Sequence, residues 1–141
     1  MVGLVVAAHG RLADELVATA EQIVGTLSHV QTVSIEPGSS PEAIRAKMKH
    51  AVHSLDAGEG VIVLADLFGG TPCKESMMLC SEEHLEVLAG VNLPMLLKAN
   101  SLRDEKMSLP DLARALALYG QKNITCVSDL LRTLEASRTA H

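Results

Sequence analysis

Gly3-Leu-Val-Val-Ala-Ala-His9-Gly10 runs straight into Arg11-Leu12-Ala13-Asp14-Glu15-Leu16. The β-branched and aliphatic run Val2–Ala8 reads as a buried strand, and a helical pattern follows from about Arg11 to Val24. One imidazole therefore stands at the carboxyl end of a strand. In open α/β sheets that end is where ligands and chemistry gather, so His9 is a functional candidate on position alone. Gly10, lacking a Cβ, accepts positive φ and allows an anion or a partner's backbone to come close to the ring.

Working outward, Leu12, Leu16, Ala20, Ile23 and Leu27 mark an apolar stripe, with Gly25 as the helix stop. Val30–Ile35 fits a strand near the sheet edge. Ser40-Pro41-Glu42 opens a second helix with a capping hydroxyl and a first-turn proline, its core face being Ile44, Met48, Ala51 and Leu55. Val61–Ala65 is an unbroken apolar run, typical of a strand buried on both faces, and it ends at Asp66. Thr71-Pro72 starts a short helix to about Cys80, and Leu85–Ala89 reads as a fourth strand. Pro94 opens a further helical segment, Ser108–Tyr119 fits another helix closed by Gly120, Ile124–Ser128 is expected as a last short strand, and Asp129–Ala136 as a terminal helix. Strand alternating with helix predicts an α/β fold, a doubly wound and mostly parallel sheet ordered 2-1-3-4 with helices on both faces and a short antiparallel fifth strand. The 141 residues suit a single domain, its core over about 1–130 and a tail over about 131–141.

Composition narrows the function. The hydrophobic set makes up 48% of the chain, yet Tyr119 and Phe68 are its only aromatics, so the core is aliphatic. Without aromatic platforms, and with a formal net charge of −5, the chain is unsuited to nucleic acid and better matched to basic partners. Three cysteines, Cys73, Cys80 and Cys126, point to a reducing compartment, and Cys73 and Cys80 are expected in the core with Met77 and Met78. The apolar start lacks a basic flank and no stretch is long enough to span a bilayer, so the expected location is the cytoplasm. No cofactor or metal is called for: His50 and His53 lack the further ligands a metal site needs, and His29 and His84 are expected in solvent.

In a sheet ordered 2-1-3-4 the winding reverses between strands one and three, and paired strands lie about 4.8 Å apart. His9 and Asp66 therefore end neighbouring strands at one crevice. A carboxylate on one ring nitrogen fixes the tautomer and turns the other nitrogen's lone pair outward, as base, metal ligand or nucleophile. Asp66-Leu-Phe-Gly-Gly-Thr-Pro72 then supplies Gly69, Gly70 and Thr71 at a helix start, a nest of free amides suited to an anion. Nucleophile, orienting carboxylate and phosphate cradle together describe a group that accepts and donates a phosphoryl.

Val5-Val6-Ala7-Ala8-His9-Gly10, Val63-Leu-Ala-Asp66-Leu-Phe-Gly-Gly-Thr-Pro72 and Leu88-Ala-Gly-Val-Asn-Leu-Pro-Met95 resemble the mannose-type EIIA domain of the bacterial phosphoenolpyruvate-dependent sugar phosphotransferase system. The resemblance runs to about Leu130. It implies that His9 is phosphorylated at Nε2 with Asp66 holding Nδ1, that Gly10, Gly69, Gly70 and Thr71 bind the phosphate, and that subunits form a homodimer. HPr is implied as donor and an EIIB protein as acceptor. The family usually has Phe-Asn where this chain has Cys73-Lys74, and some relatives carry EIIB on the same polypeptide, so a separate acceptor is expected here. Lys74 is placed to add a charge-assisted contact to the phosphoryl group, and Asp14 and Glu15 to help dock a basic partner. Alternatives weighed against this reading are a regulatory phosphocarrier without a transporter, the subunit that phosphorylates dihydroxyacetone kinase, a small tetrapyrrole metal chelatase, and a non-enzymatic interaction domain.

Overall fold

The computed structural model describes residues 1–67, 71–80 and 84–139. Four strands, β1 (Gly3–His9), β2 (Val30–Ile35), β3 (Val61–Ala65) and β4 (Leu85–Ala89), form a wholly parallel sheet in the order β2-β1-β3-β4. The helices are α1 (Leu12–Val24), α2 (Pro41–Leu55), α3 (Thr71–Leu79), α4 (Leu93–Leu102), α5 (Leu109–Lys122) and α6 (Val127–Thr139). The doubly wound order expected from the alternation is the order observed.

Both faces of the central strands are buried, which is why β1 and β3 read as continuous apolar runs. Leu4, Val6 and Ala8 of β1 join Ile62 and Leu64 of β3 under α1, α4 and α5. Val5, Ala7, Val61 and Val63 pack on the other face against α2 and Leu79 of α3. Gly3 is needed where β1 passes α2, because a Cβ there would lie 2.7 Å from Leu55 Cβ. Three helices begin on the same chemistry: Ser40, Asn92 and Ser108 each accept an amide of the first turn beside an early proline. Such a cap is worth about 1 kcal/mol.

Buried Arg103, at the end of α4, donates to the carbonyls of Val2, Ser28 and His29 and so ties the entries of β1 and β2 together. His29 is consequently half-buried, with a left-handed φ of 57° and a buried Nε2 that has no partner, rather than solvated. His84 is exposed, as expected.

Several sequence expectations are corrected. Gly120 does not end α5; it lies buried within it, where a Cβ would meet Met95 Cε at 2.8 Å, so it permits α4 and α5 to approach closely. The stripe of α1 is rotated: Ala13 and Ala20 are buried with Leu16 and Val17 packed beside them, whereas Leu12 and Ile23 face solvent. On α3 the inward residues are Glu75, Ser76 and Leu79, which leaves Met77, Met78 and Cys80 exposed; the side chain of Cys73 is outside the described residues. No strand forms over 124–128. The chain there is exposed and pairs with no strand of the sheet, so local preference governs, and Asp129 in the first turn helps α6 start at Val127. None of the residues of α6 is buried.

Candidate functional site

β1 and β3 are paired as far as Ala7 and Ala65; β1 continues to His9, and Asp66 directly follows β3. Asp66 N–H donates to Ala7 O, which holds the residue after β3 beside the end of β1. Its side chain, 8% exposed, turns toward His9, whose own side chain is 50% exposed. Asp66 Oδ2 accepts from the His9 backbone N–H at 3.0 Å and lies 2.8 Å from His9 Nδ1. Asp66 Oδ1 accepts from the Leu67 N–H at 2.9 Å.

Burial is the largest influence on this carboxyl and pushes its pKa up. The His9 backbone and ring hydrogen bonds, the charge of the ring and the Leu67 amide together outweigh it, and the pKa lies below its ordinary value. Asp66 is therefore ionised near neutrality and can only accept. The hydrogen in the His9–Asp66 bond consequently sits on Nδ1, and in the neutral imidazole tautomer this selects, the lone pair is on Nε2.

Gly10 has a φ of 59°, and a Cβ there would meet nothing within 4 Å. Its N–H donates to Ile35 O at 3.1 Å. That amide is thus committed to β2, and what Gly10 contributes to the crevice is the missing side chain. Gly69, Gly70 and Phe68 lie outside the described residues, as does the side chain of Thr71. α3 begins at Thr71, so a positive helix end follows the loop that leaves Asp66, and exposed Lys74 is its fourth residue.

Asp14 is exposed and also accepts from Thr32 Oγ1 and Ser34 Oγ, which fastens the first turn of α1 to β2. Glu15 is exposed beside Arg11 at 3.6 Å. Asn92 caps α4 at Met95 N and donates through Nδ2 to Gly120 O, so it is engaged in helix packing. One buried feature escaped the sequence reading: Glu75 of α3, 5% exposed, receives Arg45 Nε of α2 at 2.8 Å. The clamp bridges residues thirty positions apart, and no local pattern reports such a pair.

A cavity of about 680 Å³ lies at the other end of the sheet, lined by Val2, Glu59, His84, Arg103 and Leu109 among others, well removed from the strand ends that carry His9. His50 and His53 are exposed on α2. Among the described residues no helix is long and apolar enough to cross a membrane.

The family model described as PTS system fructose IIA component matches residues 3–117, which includes every strand. The chain is 32% identical over 124 residues to the mannose-specific EIIAB component of Escherichia coli K12, covering 87% of this chain and 38% of that longer protein. It therefore spans less than half the length of the mannose-specific relatives it matches. The fructose-specific EIIA component of Bacillus subtilis is 28% identical over 138 residues, 97% of this chain and 94% of that one. Among solved structures, the mannose/sorbose-specific IIA subunit from Enterococcus faecalis superimposes with a TM-score of 0.78 at 34% identity, covering 88% of this chain and 92% of that one. By fold, by sequence over its whole sheet, and by the company it keeps among solved structures, the chain belongs to the PTS system fructose IIA component family.

Proposed function

We propose that this protein is a cytoplasmic phosphocarrier of the sugar phosphotransferase system, accepting a phosphoryl group from phosphorylated HPr on His9 Nε2 and passing it to a separate EIIB protein. The single observation that carries the reading is the 2.8 Å contact between His9 Nδ1 and Asp66 at the carboxyl ends of adjacent strands, with the ring half open to solvent.

In the first transfer the Nε2 lone pair attacks phosphorus, and the bond from phosphorus to the donor's ring nitrogen breaks with its electron pair returning to the donor. His9 needs to lose no proton, because Nδ1 carries the ring hydrogen. The ring gains positive character as the new bond forms, and ionised Asp66, already in place, stabilises it at no cost in reorganisation. The second transfer runs the same steps outward. Gly10 leaves room for the phosphoryl oxygens. Gly69, Gly70 and Thr71, ahead of the positive end of α3, are proposed to receive those oxygens, with Lys74 adding charge. Pairing as a homodimer is part of the same reading, and sedimentation of the purified chain tests it.

The deciding experiment is incubation with phosphoenolpyruvate, enzyme I and HPr, followed by mapping of acid-labile phosphate by mass spectrometry. Phosphate on the peptide containing His9, and its loss in His9→Ala, is the expected result. Normal labelling of His9→Ala would overturn the assignment.

A further inference from the structure

The ion pair between Arg45 and Glu75 joins two helices that both begin at the end of the sheet carrying His9, since α2 follows β2 and α3 follows β3 in a parallel sheet. Each of the two is the fifth residue of its helix, so the pair lies roughly 6 Å along either axis from the first residue. Arg45 Nε donates to Glu75 Oε2 at 2.8 Å, and a terminal guanidinium nitrogen reaches Met78 Sδ at 3.2 Å. Glu75 and Met78 are three residues apart and share one side of α3, so the planar guanidinium straps that helix to α2. Leu79, one turn beyond Glu75, is buried with Ile44 and Met48 of α2. An apolar side chain at position 75 would suit this contact as well, because a buried pair contributes little or nothing over apolar packing. What the pair adds is direction. Apolar surfaces slide and turn against one another, whereas a hydrogen bond is weakened by small changes of length and angle.

We infer that Arg45 and Glu75 are positioning residues for phosphoryl transfer: their bond holds α3 at the height and rotation at which its amino end receives the phosphoryl group carried by His9. The inference rests on the phosphocarrier reading above. His9 and Asp66 are fixed by bonds of their own to each other and to the ends of β1 and β3. The helix end has no such tie among the described residues, and its favourable field falls off within one turn. Misplacement by about 1 Å is enough to slow a reaction that depends on aligned groups. Arg45 and Glu75 therefore act on the transferred group through α3, and neither needs to touch it.

The test separates position from stability with two variants. Arg45→Met combined with Glu75→Leu replaces the pair by apolar packing, and Arg45→Lys keeps the charge but loses the donor at Nε. Each is labelled by two donors, phosphorylated HPr and the small molecule phosphoramidate. The double variant is expected to fold with a urea midpoint near that of wild type, yet its kcat falls about five- to thirtyfold, the scale of a helix terminus in a partly buried site. KM for phosphorylated HPr stays unchanged, and labelling by phosphoramidate slows by the same factor. Arg45→Lys shows the same pattern at about threefold. A wild-type kcat in the folded double variant overturns the inference, as does a wild-type kcat in Arg45→Lys should the double variant not fold. A loss confined to KM, with normal phosphoramidate labelling, also overturns it, because the pair would then act on docking. These outcomes leave the phosphocarrier reading intact. Failure of the wild type to take phosphate from either donor removes that reading and the inference with it.

Discussion

A single oxygen, Asp66 Oδ2, accepts from both the backbone amide of His9 at 3.0 Å and the ring of the same residue at 2.8 Å. The amide fixes the oxygen relative to the end of β1, and the oxygen then fixes the imidazole. Asp66→Asn presents either a carbonyl or an amide in that place and carries no charge, so stabilisation of the phosphorylated ring is lost. Phosphoryl transfer to His9 is expected to slow by roughly 10²–10⁴-fold, measured as single-turnover labelling from phosphorylated HPr, with the fold intact by circular dichroism.

The same contact has a pH signature. The Asp66 pKa is depressed in the folded protein below the ordinary aspartate value, so its contribution to stability is fully present above that ordinary value and is lost as the pH falls through the lower folded value. Urea midpoints of wild type and Asp66→Asn are expected to differ at neutral pH and to converge as the solution is acidified below about pH 4. A gap that widens on acidification would contradict this sign.

Arg45 and Glu75 fasten α3 to α2. Arg45→Met strands a buried carboxylate. Because the arginine is itself partly open to solvent, the expected cost is about 1–3 kcal/mol, less than for a fully buried pair. Denaturant titration checks it, and Arg45→Met with Glu75→Leu should recover a large part of the loss.

Gly3→Ala places a methyl group 2.7 Å from Leu55 Cβ and 3.2 Å from Val61 Cγ2, atoms set close to the backbone that cannot swing aside. Overpacking of this kind costs about 1–3 kcal/mol. A lowered Tm with unaltered labelling of His9 at moderate temperature is the expected pair of results.

Lys74 is exposed on the fourth residue of α3. If its ammonium group stabilises the phosphorylated state, hydrolysis of phosphohistidine in Lys74→Ala should quicken by about two- to fivefold, the scale of an exposed charge contact. An unchanged lifetime would remove Lys74 from the proposed cradle.

Much of this was legible in the chain because buried parallel strands have a local signature. Val61–Ala65 is apolar at every position since both faces of β3 are covered, and that signal needs no partner to be read. His9 and Asp66 were legible for a related reason, each being the first polar side chain after such a run. Met77, Met78 and Gly120 were misread because their surroundings come from elements distant in sequence. A methionine is equally apolar on either face of α3, and a glycine near a helix end looks like a stop until Met95 is seen packed against it.

By itself, then, the amino-acid order determined the alternation of strand and helix, the parallel sheet that follows from it, and the two residues that end its central strands. These rest on short-range steric preference and on the period of apolar side chains. Only the tertiary structure decided that one oxygen of Asp66 meets both the amide and the ring of His9, that the Gly10 amide is spent on Ile35, that 124–128 forms no strand, and that Glu75 is buried against Arg45. Hydrogen bonds and ion pairs depend on sub-ångström placement of groups far apart in the chain, and packing alone brings them to that distance.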